Sequence, residues 1–201
     1  MSDALPLPQH DTSFERLVML AAHDLRTPLA TIFGFSRTLG RDATLGDQQR
    51  KYVEMIETAS GQLTELIAEL SLVSRIEAGR YQAKLEDADS LAVARYAEGH
   101  LGADRVGLSG PGGRVVVDRE PVERAVSALI QAALRHGAQE HVAVVACGAE
   151  ITVERVTKHA APVVLGQEIR DLGAAAAVRL IAFLGGAVTI DGELLTIRLP
   201  Q

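Results

Sequence analysis

From Phe14 onward the apolar residues recur at an alternating four-three spacing: Phe14, Val18, Ala21, Leu25, Pro28, Ile32, Phe35 and Leu39. A repeat of about 3.5 residues draws one apolar seam along a helix and commits the segment to lengthwise packing against other helices. Gly40 supplies a stop, and GRDATLGD reads as a turn in which Thr44 or Asp47 can cap a second helix. The spacing then resumes through Tyr52, Ile56, Ala59, Leu63, Leu66, Leu70 and Val73, ending near Gly79. Two long helices joined by a short turn make an antiparallel hairpin.

One hairpin cannot cover so wide a stripe, because Leu20, Leu29, Ile67 and Ile76 extend it beyond what a single neighbouring helix hides. A second copy of the chain, related by two-fold symmetry, completes a four-helix bundle, so a homodimer is expected. After Gly79 the pattern changes. β-rich runs at Arg114–Val117, His141–Ala146, Ile151–Val156, Ala187–Ile190 and Leu194–Leu199 alternate with helical stretches near 88–99, 120–136 and 168–183. That alternation predicts an α/β sandwich with helices on at least one face of a sheet. The expected layout is α then α/β: a flexible lead-in at 1–12, a helical hairpin at 13–80 and the sandwich at 81–201.

Apolar residues make up 47% of the 201, enough for a proper core, yet there are four phenylalanines, three tyrosines and no tryptophan. Aliphatic side chains and alanine must therefore build it. A formal charge of −6 argues against a nucleic-acid partner, which would meet a basic face. The one cysteine, Cys147, excludes an internal disulfide, and its place in VAVVAC suggests a buried thiol in a reducing compartment. Nothing resembles a signal peptide, and no apolar run approaches the ~20 residues of a membrane span, so a soluble cytoplasmic protein is expected. His10, His100, His136, His141 and His159 show no metal-ligand spacing, and Arg124, Arg135 and Arg179 read as solvated helix faces. LSGPGGR (108–114) reads as a tight turn between strands, since it does not open a helix as a phosphate cradle would.

The chemistry concentrates at His23. With Ala21 at a d position, His23 is f, the position farthest from the seam, so an imidazole in the apolar segment LVMLAAHDLRTPLA points outward. Thr27 lies one turn on along the same face, and Asp24 and Arg26 flank the ring. Imidazole is a good nucleophile near neutral pH and can accept a phosphoryl group on a ring nitrogen. An adjacent carboxylate can orient the ring, and a hydroxyl one turn away can position a water or a phosphoryl oxygen. Pro28 cannot donate to the carbonyl of Asp24 and should loosen the helix beside the histidine.

LAAHDLRTPLATIFGFSRTL resembles the H-box of bacterial two-component histidine kinases, and LIAELSLVSRIEAGR resembles that family's exit from its dimerisation hairpin. The resemblance spans residues 14–80. It implies that His23 is the phosphoacceptor, that Asp24 assists as acid/base and that Thr27 helps hydrolyse a phosphorylated partner, with Arg26 and Pro28 in support. It further implies a response-regulator receiver domain as partner, docking on Ala30, Phe33, Gly34 and Arg37 with Glu54 and Met55 of the second helix. A histidine kinase is a further possible partner.

In that family the next domain binds ATP, in a sandwich related to gyrase and Hsp90. The order of elements from RVVVD to LTIRLP resembles it, but the nucleotide chemistry is missing. Alignment from Asp118 puts Ala128 and Ala132 where the family has metal- and phosphate-holding asparagines, and alanine offers Mg²⁺ no oxygen. No glycine lies between Ile151 and Leu165, where the adenine-reading Asp-x-Gly-x-Gly would fall, and the stretch before the next helix is too short for a lid. Asp171 takes a phosphate-facing glycine position ahead of Gly173. The chain looks similar in layout to dimeric histidine phosphotransfer proteins, which imply no cofactor on this chain and Mg²⁺ on the regulator. A response-regulator phosphatase, a divergent autokinase and a non-catalytic pseudokinase remain alternatives.

Overall fold

The computed structural model describes residues 12–42 and 44–201. The lead-in expected at 1–12 lies outside the described residues except Thr12, which opens the first helix. The chain divides between Arg80 and Tyr81 into two compact units.

The first unit is the hairpin of α1 (Thr12–Gly40) and α2 (Asp47–Glu77). Its inner seam differs from the expected one. The residues buried between the helices are Ala22 (1% exposed), Leu29 and Ser36 of α1, with Val53, Ser60 and Ser74 of α2. These also keep a seven-residue spacing, displaced round the helix from the larger apolar set. Leu25, Ile32 and Leu39 are 51–53% exposed, as are Tyr52, Ile56, Leu63 and Leu66 at 44–54%. A heptad pattern marks apolar stripes without saying which stripe meets the neighbouring helix of the same chain. Alanine and serine allow the closest approach, and Ser36 satisfies its hydroxyl by donating to the carbonyl of Phe33 at 2.9 Å. On both helices the exposed set lies roughly 60–140° from the inward residue, in the same rotational sense. Because the helices are antiparallel, the two stripes fall on one side of the hairpin.

The turn explains why α2 starts where it does. Asp42 Oδ1 accepts from Thr44 N at 2.9 Å and Thr44 Oγ1 at 2.7 Å, so Thr44 serves the turn and caps nothing. The N-cap is Gly46, whose N–H donates to Gln49 Oε1 at 3.0 Å. The two bonds from Thr44 hold the Asp42 carboxyl below its usual range, the Thr44 backbone N–H contributing most.

The second unit contains β1 (Leu85–Asp89), α3 (Ser90–Leu101), β2 (Val106–Gly112), β3 (Arg114–Asp118), α4 (Arg119–Gly137), β4 (Val142–Cys147), β5 (Glu150–Val153), α5 (Ala161–Val164), α6 (Leu172–Phe183), β6 (Ala187–Asp191) and β7 (Leu194–Arg198). Five strands form a sheet in the order β2-β4-β5-β7-β6, in which only β2 and β4 run parallel, while β1 and β3 make a separate antiparallel pair. Alternate residues of β4, β5 and β7 are buried, and Leu129, Ile130 and Leu134 of α4 and Leu180 and Ile181 of α6 are fully buried. This is a sheet with helices against it, as the alternating pattern predicts.

Four details depart from the expectations drawn from sequence. β1 (LEDAD) and β2 (VGLSGPG) are strands without a β-rich signature, the first acidic and the second broken by glycine and proline. LSGPG belongs to β2 itself and forms no tight turn, only Gly113 separating it from β3, which lies in a different sheet. Gly110 (φ +109) leaves no room for a Cβ against the Ala146 carbonyl, so glycine is required at the irregularity in the β2–β4 pairing. Cys147 is exposed at the end of β4, because strand alternation carries it outward just before the turn at Gly148. Finally, β5 ends at Val153 and α6 begins at Leu172, so residues 154–171 with α5 make a longer connection than expected. Among the described residues no helix is long and apolar enough to cross a membrane.

Candidate functional site

α1 runs unbroken through Pro28 and presents His23 on its outer surface. The side chain of His23 is 76% exposed and that of Asp24 67%. His23 lies about 100° round α1 from the buried Ala22 and in the opposite sense from the exposed apolar stripe. The imidazole therefore stands on the side of the hairpin away from that stripe.

His23 Nδ1 lies 3.1 Å from Asp24 Oδ1. In the tautomer that carries its hydrogen on Nδ1, the ring donates to this carboxylate and keeps its lone pair on Nε2. With both groups this exposed the pair adds little to stability, and its effect is on the tautomer and orientation of the ring. His23, Arg26, Thr27, Ala30 and Thr31 together line a shallow open depression. Thr31 carries no motif signal of its own, although its place two turns beyond His23 puts it on the same face. Its Oγ1 donates to the Thr27 carbonyl at 3.1 Å.

The residues expected to dock a partner spread further. The Arg37 guanidinium sits 5.7 Å from the centre of the half-buried Phe33 ring, which aligns it along the helix. Gly34 is exposed, and an added Cβ there would meet nothing within 4 Å. On α2, Glu54 and Met55 stand about 100° apart, and measured from inward-facing Val53 only Glu54 turns to the His23 side. Met55, 60% exposed, points away from α1.

In the second unit the structure places the residues that the sequence aligns with a nucleotide site as follows. Ala132 is fully buried in the core and Ala128 is half-buried, and neither offers an oxygen to a metal. Asp171 is the N-cap of α6, its Oδ1 accepting from Ala174 N at 3.1 Å. Its Oδ2 meets His136 Nε2 at 3.2 Å and Arg135 Nη1 at 3.3 Å. Arg135 is thus more than a solvated cation, and His136 does have a carboxylate partner. That partner is distant in sequence, and no local spacing announces it. Among the described residues no group of three His, Cys, Asp or Glu side chains could hold a metal ion.

A long helical hairpin displaying one outward histidine, followed by an α/β sandwich, is the layout of a two-component signalling protein. Residues 15–79 match the family model of the His Kinase A (phospho-acceptor) domain. A sensor-like histidine kinase of Rhizobium meliloti is 38% identical over 74 residues, covering 35% of this chain and 14% of the relative. The circadian input-output histidine kinase CikA of Synechococcus elongatus is 38% identical over 81 residues, or 39% of this chain and 11% of its own. Histidine protein kinase DivJ of Caulobacter vibrioides aligns further, at 29% identity over 130 residues, covering 60% of this chain and 22% of the relative. The chain spans 11–22% of the length of these relatives.

The fold is similar to that of full-length ShkA solved with AMPPNP, with a TM-score of 0.65 at 19% identity over 91% of this chain and 44% of the other. The Acinetobacter baumannii histidine kinase AdeS is similar as well, with a TM-score of 0.57 at 19% identity over 89% of this chain and 97% of the other.

Proposed function

We propose that this chain is a dimeric histidine phosphotransfer protein, shuttling a phosphoryl group between response-regulator aspartates through His23. The observation that carries the reading is the 3.1 Å contact of His23 Nδ1 with Asp24 Oδ1 on an imidazole side chain 76% exposed; with the hydrogen on Nδ1, Nε2 keeps the lone pair that attacks phosphorus. In the transfer, the P–O bond of the regulator's acyl phosphate breaks and its carboxylate leaves with the electron pair. The N–P bond forms at Nε2, and Nδ1–H stays on Asp24, whose charge offsets the positive charge of the ring. The reverse step delivers the group to a second aspartate. The regulator brings the Mg²⁺, so α1 need only present an oriented nucleophile.

The regulator docks on the His23 side of the hairpin, over Ala30, Gly34, Arg37 and Glu54. A second copy of the chain covers the apolar stripe on the opposite side. The second unit takes no nucleotide, a reading supported by alanine at both metal-facing positions and by the Asp171 carboxylate at the start of α6.

The test is to mix the purified chain with a receiver domain carrying a labelled phosphoryl-aspartate. Label should move onto His23 and chase onto an unphosphorylated receiver, and His23→Gln should take none. Labelling of His23 from ATP and Mg²⁺ alone would replace this reading with an autokinase. A His23→Gln chain that still dephosphorylates the receiver would replace it with a phosphatase working through Asp24 and Thr27.

A further inference from the structure

Asp171 does more than cap a helix. Asp89, the N-cap of α3, accepts from Ala92 N at 3.1 Å and is exposed, with no cation paired to it among the described residues. Asp171 makes the equivalent bond but is only 10% exposed, and the last turn of α4 sends it two further donors, Arg135 and His136. One carboxylate thus collects a helix N–H on Oδ1, and the Arg135 guanidinium and the His136 Nε2 on Oδ2. Helix N-terminal amides with converging cationic side chains are the arrangement that binds phosphate groups from solution. Here the chain's own anion fills it. Arg135 is 60% exposed and His136 22% exposed, so the cluster lies at a rim that a small anion can reach.

We infer that Asp171 is a built-in anion, an autoinhibitory clasp that ties the end of α4 to the start of α6 and shuts this position to phosphates from solution. A tethered carboxylate has the advantage of effective concentration over a free anion. An incoming phosphate must also approach a negative charge already seated in the site. The inference rests on the nucleotide-free reading of this unit and adds the Arg135 and His136 contacts that seat the Asp171 carboxylate.

The test uses the full chain, with inorganic pyrophosphate and ATP·Mg²⁺ as separate probes in calorimetry and thermal melting. Wild type should bind neither at millimolar concentration. Asp171→Ser keeps a capping oxygen but removes the charge, and it should gain saturable pyrophosphate binding, tighter than wild type by about tenfold or more. Adding Arg135→Gln and His136→Gln should remove that gain. If the serine chain does not melt cooperatively, Asp171→Asn, which keeps the Oδ1 cap, takes its place. A folded variant that binds no pyrophosphate overturns the clasp alone, and labelling of His23 by a phosphorylated receiver then stands untouched. Wild type binding ATP·Mg²⁺ overturns both readings.

Discussion

His23 and Asp24 are neighbours on one helix turn, and their side chains meet at 3.1 Å through Nδ1 and Oδ1. In the proposed transfer this contact leaves Nε2 as the attacking nitrogen. Asp24→Ala should therefore slow phosphoryl transfer onto His23 on the order of 10²-fold while leaving the melting temperature nearly unchanged, since both groups are exposed. Asp24→Asn should be intermediate, because its amide oxygen still accepts from Nδ1–H but carries no charge to offset that of the ring. Rapid-quench labelling against a phosphorylated receiver reads the rate. A full-speed Asp24→Ala chain would remove the carboxylate from the mechanism.

The exposed apolar stripe has a separate test. Ile32 and Leu63 are 51% and 50% exposed within one chain and lie on the side of the hairpin opposite His23. Ile32→Asp combined with Leu63→Asp should turn a dimer into a monomer in sedimentation equilibrium, since unpaired carboxylates on a buried interface cost several kcal/mol. Thr38→Asp, exposed on α1 outside the stripe, should leave the mass unchanged. A double variant that stays dimeric would place the interface elsewhere.

The inner seam should respond to volume. Leu29 is 7% exposed between the helices, so Leu29→Ala should destabilise the chain by about 2–5 kcal/mol in denaturant melts. Ser60, 3% exposed, sits where the helices need a small residue, and Ser60→Leu should cost about 1–3 kcal/mol despite adding apolar surface. If leucine at 60 stabilised the hairpin, the close approach assigned to alanine and serine would be wrong.

That seam also shows what the sequence could and could not reveal. The four-three spacing located two long helices, and the outward position of His23 came from it. Ala22, Ser36 and Ser60 carry no strong hydrophobic signal, so the large residues drew attention to the stripe that faces away from the hairpin. In the second unit, RVVVD and VAVVAC read as strands because β-branched residues dominate them. LEDAD and VGLSGPG are strands only because β3 and β4 pair with them, a tertiary cause that no local pattern carries. The Asp171 contacts are non-local too, joining the last turn of α4 to the cap of α6, so residue type at 171 suggested repulsion of phosphate but not the Arg135 and His136 side chains that meet the carboxylate.

The turn between the helices gives a pH dependence with a definite sign. Asp42 accepts two bonds from Thr44, at 2.9 and 2.7 Å, and its folded-state pKa is lowered from the ordinary 3.8. A depressed carboxylate binds its proton less readily in the folded chain than in the unfolded one. Its stabilising effect is complete above the unfolded value and disappears as pH falls through the folded value. Asp42→Ala should therefore melt below wild type at neutral pH, and the gap should narrow once pH drops beneath 3.8. Comparing the two chains at each pH cancels the other carboxylates. Thr44→Val, which loses the hydroxyl but keeps the backbone N–H, should retain the larger part of the gap, because the backbone bond is the first cause of the shift. A gap that stays constant from neutral to acid pH would mean that Asp42 acts through turn geometry alone.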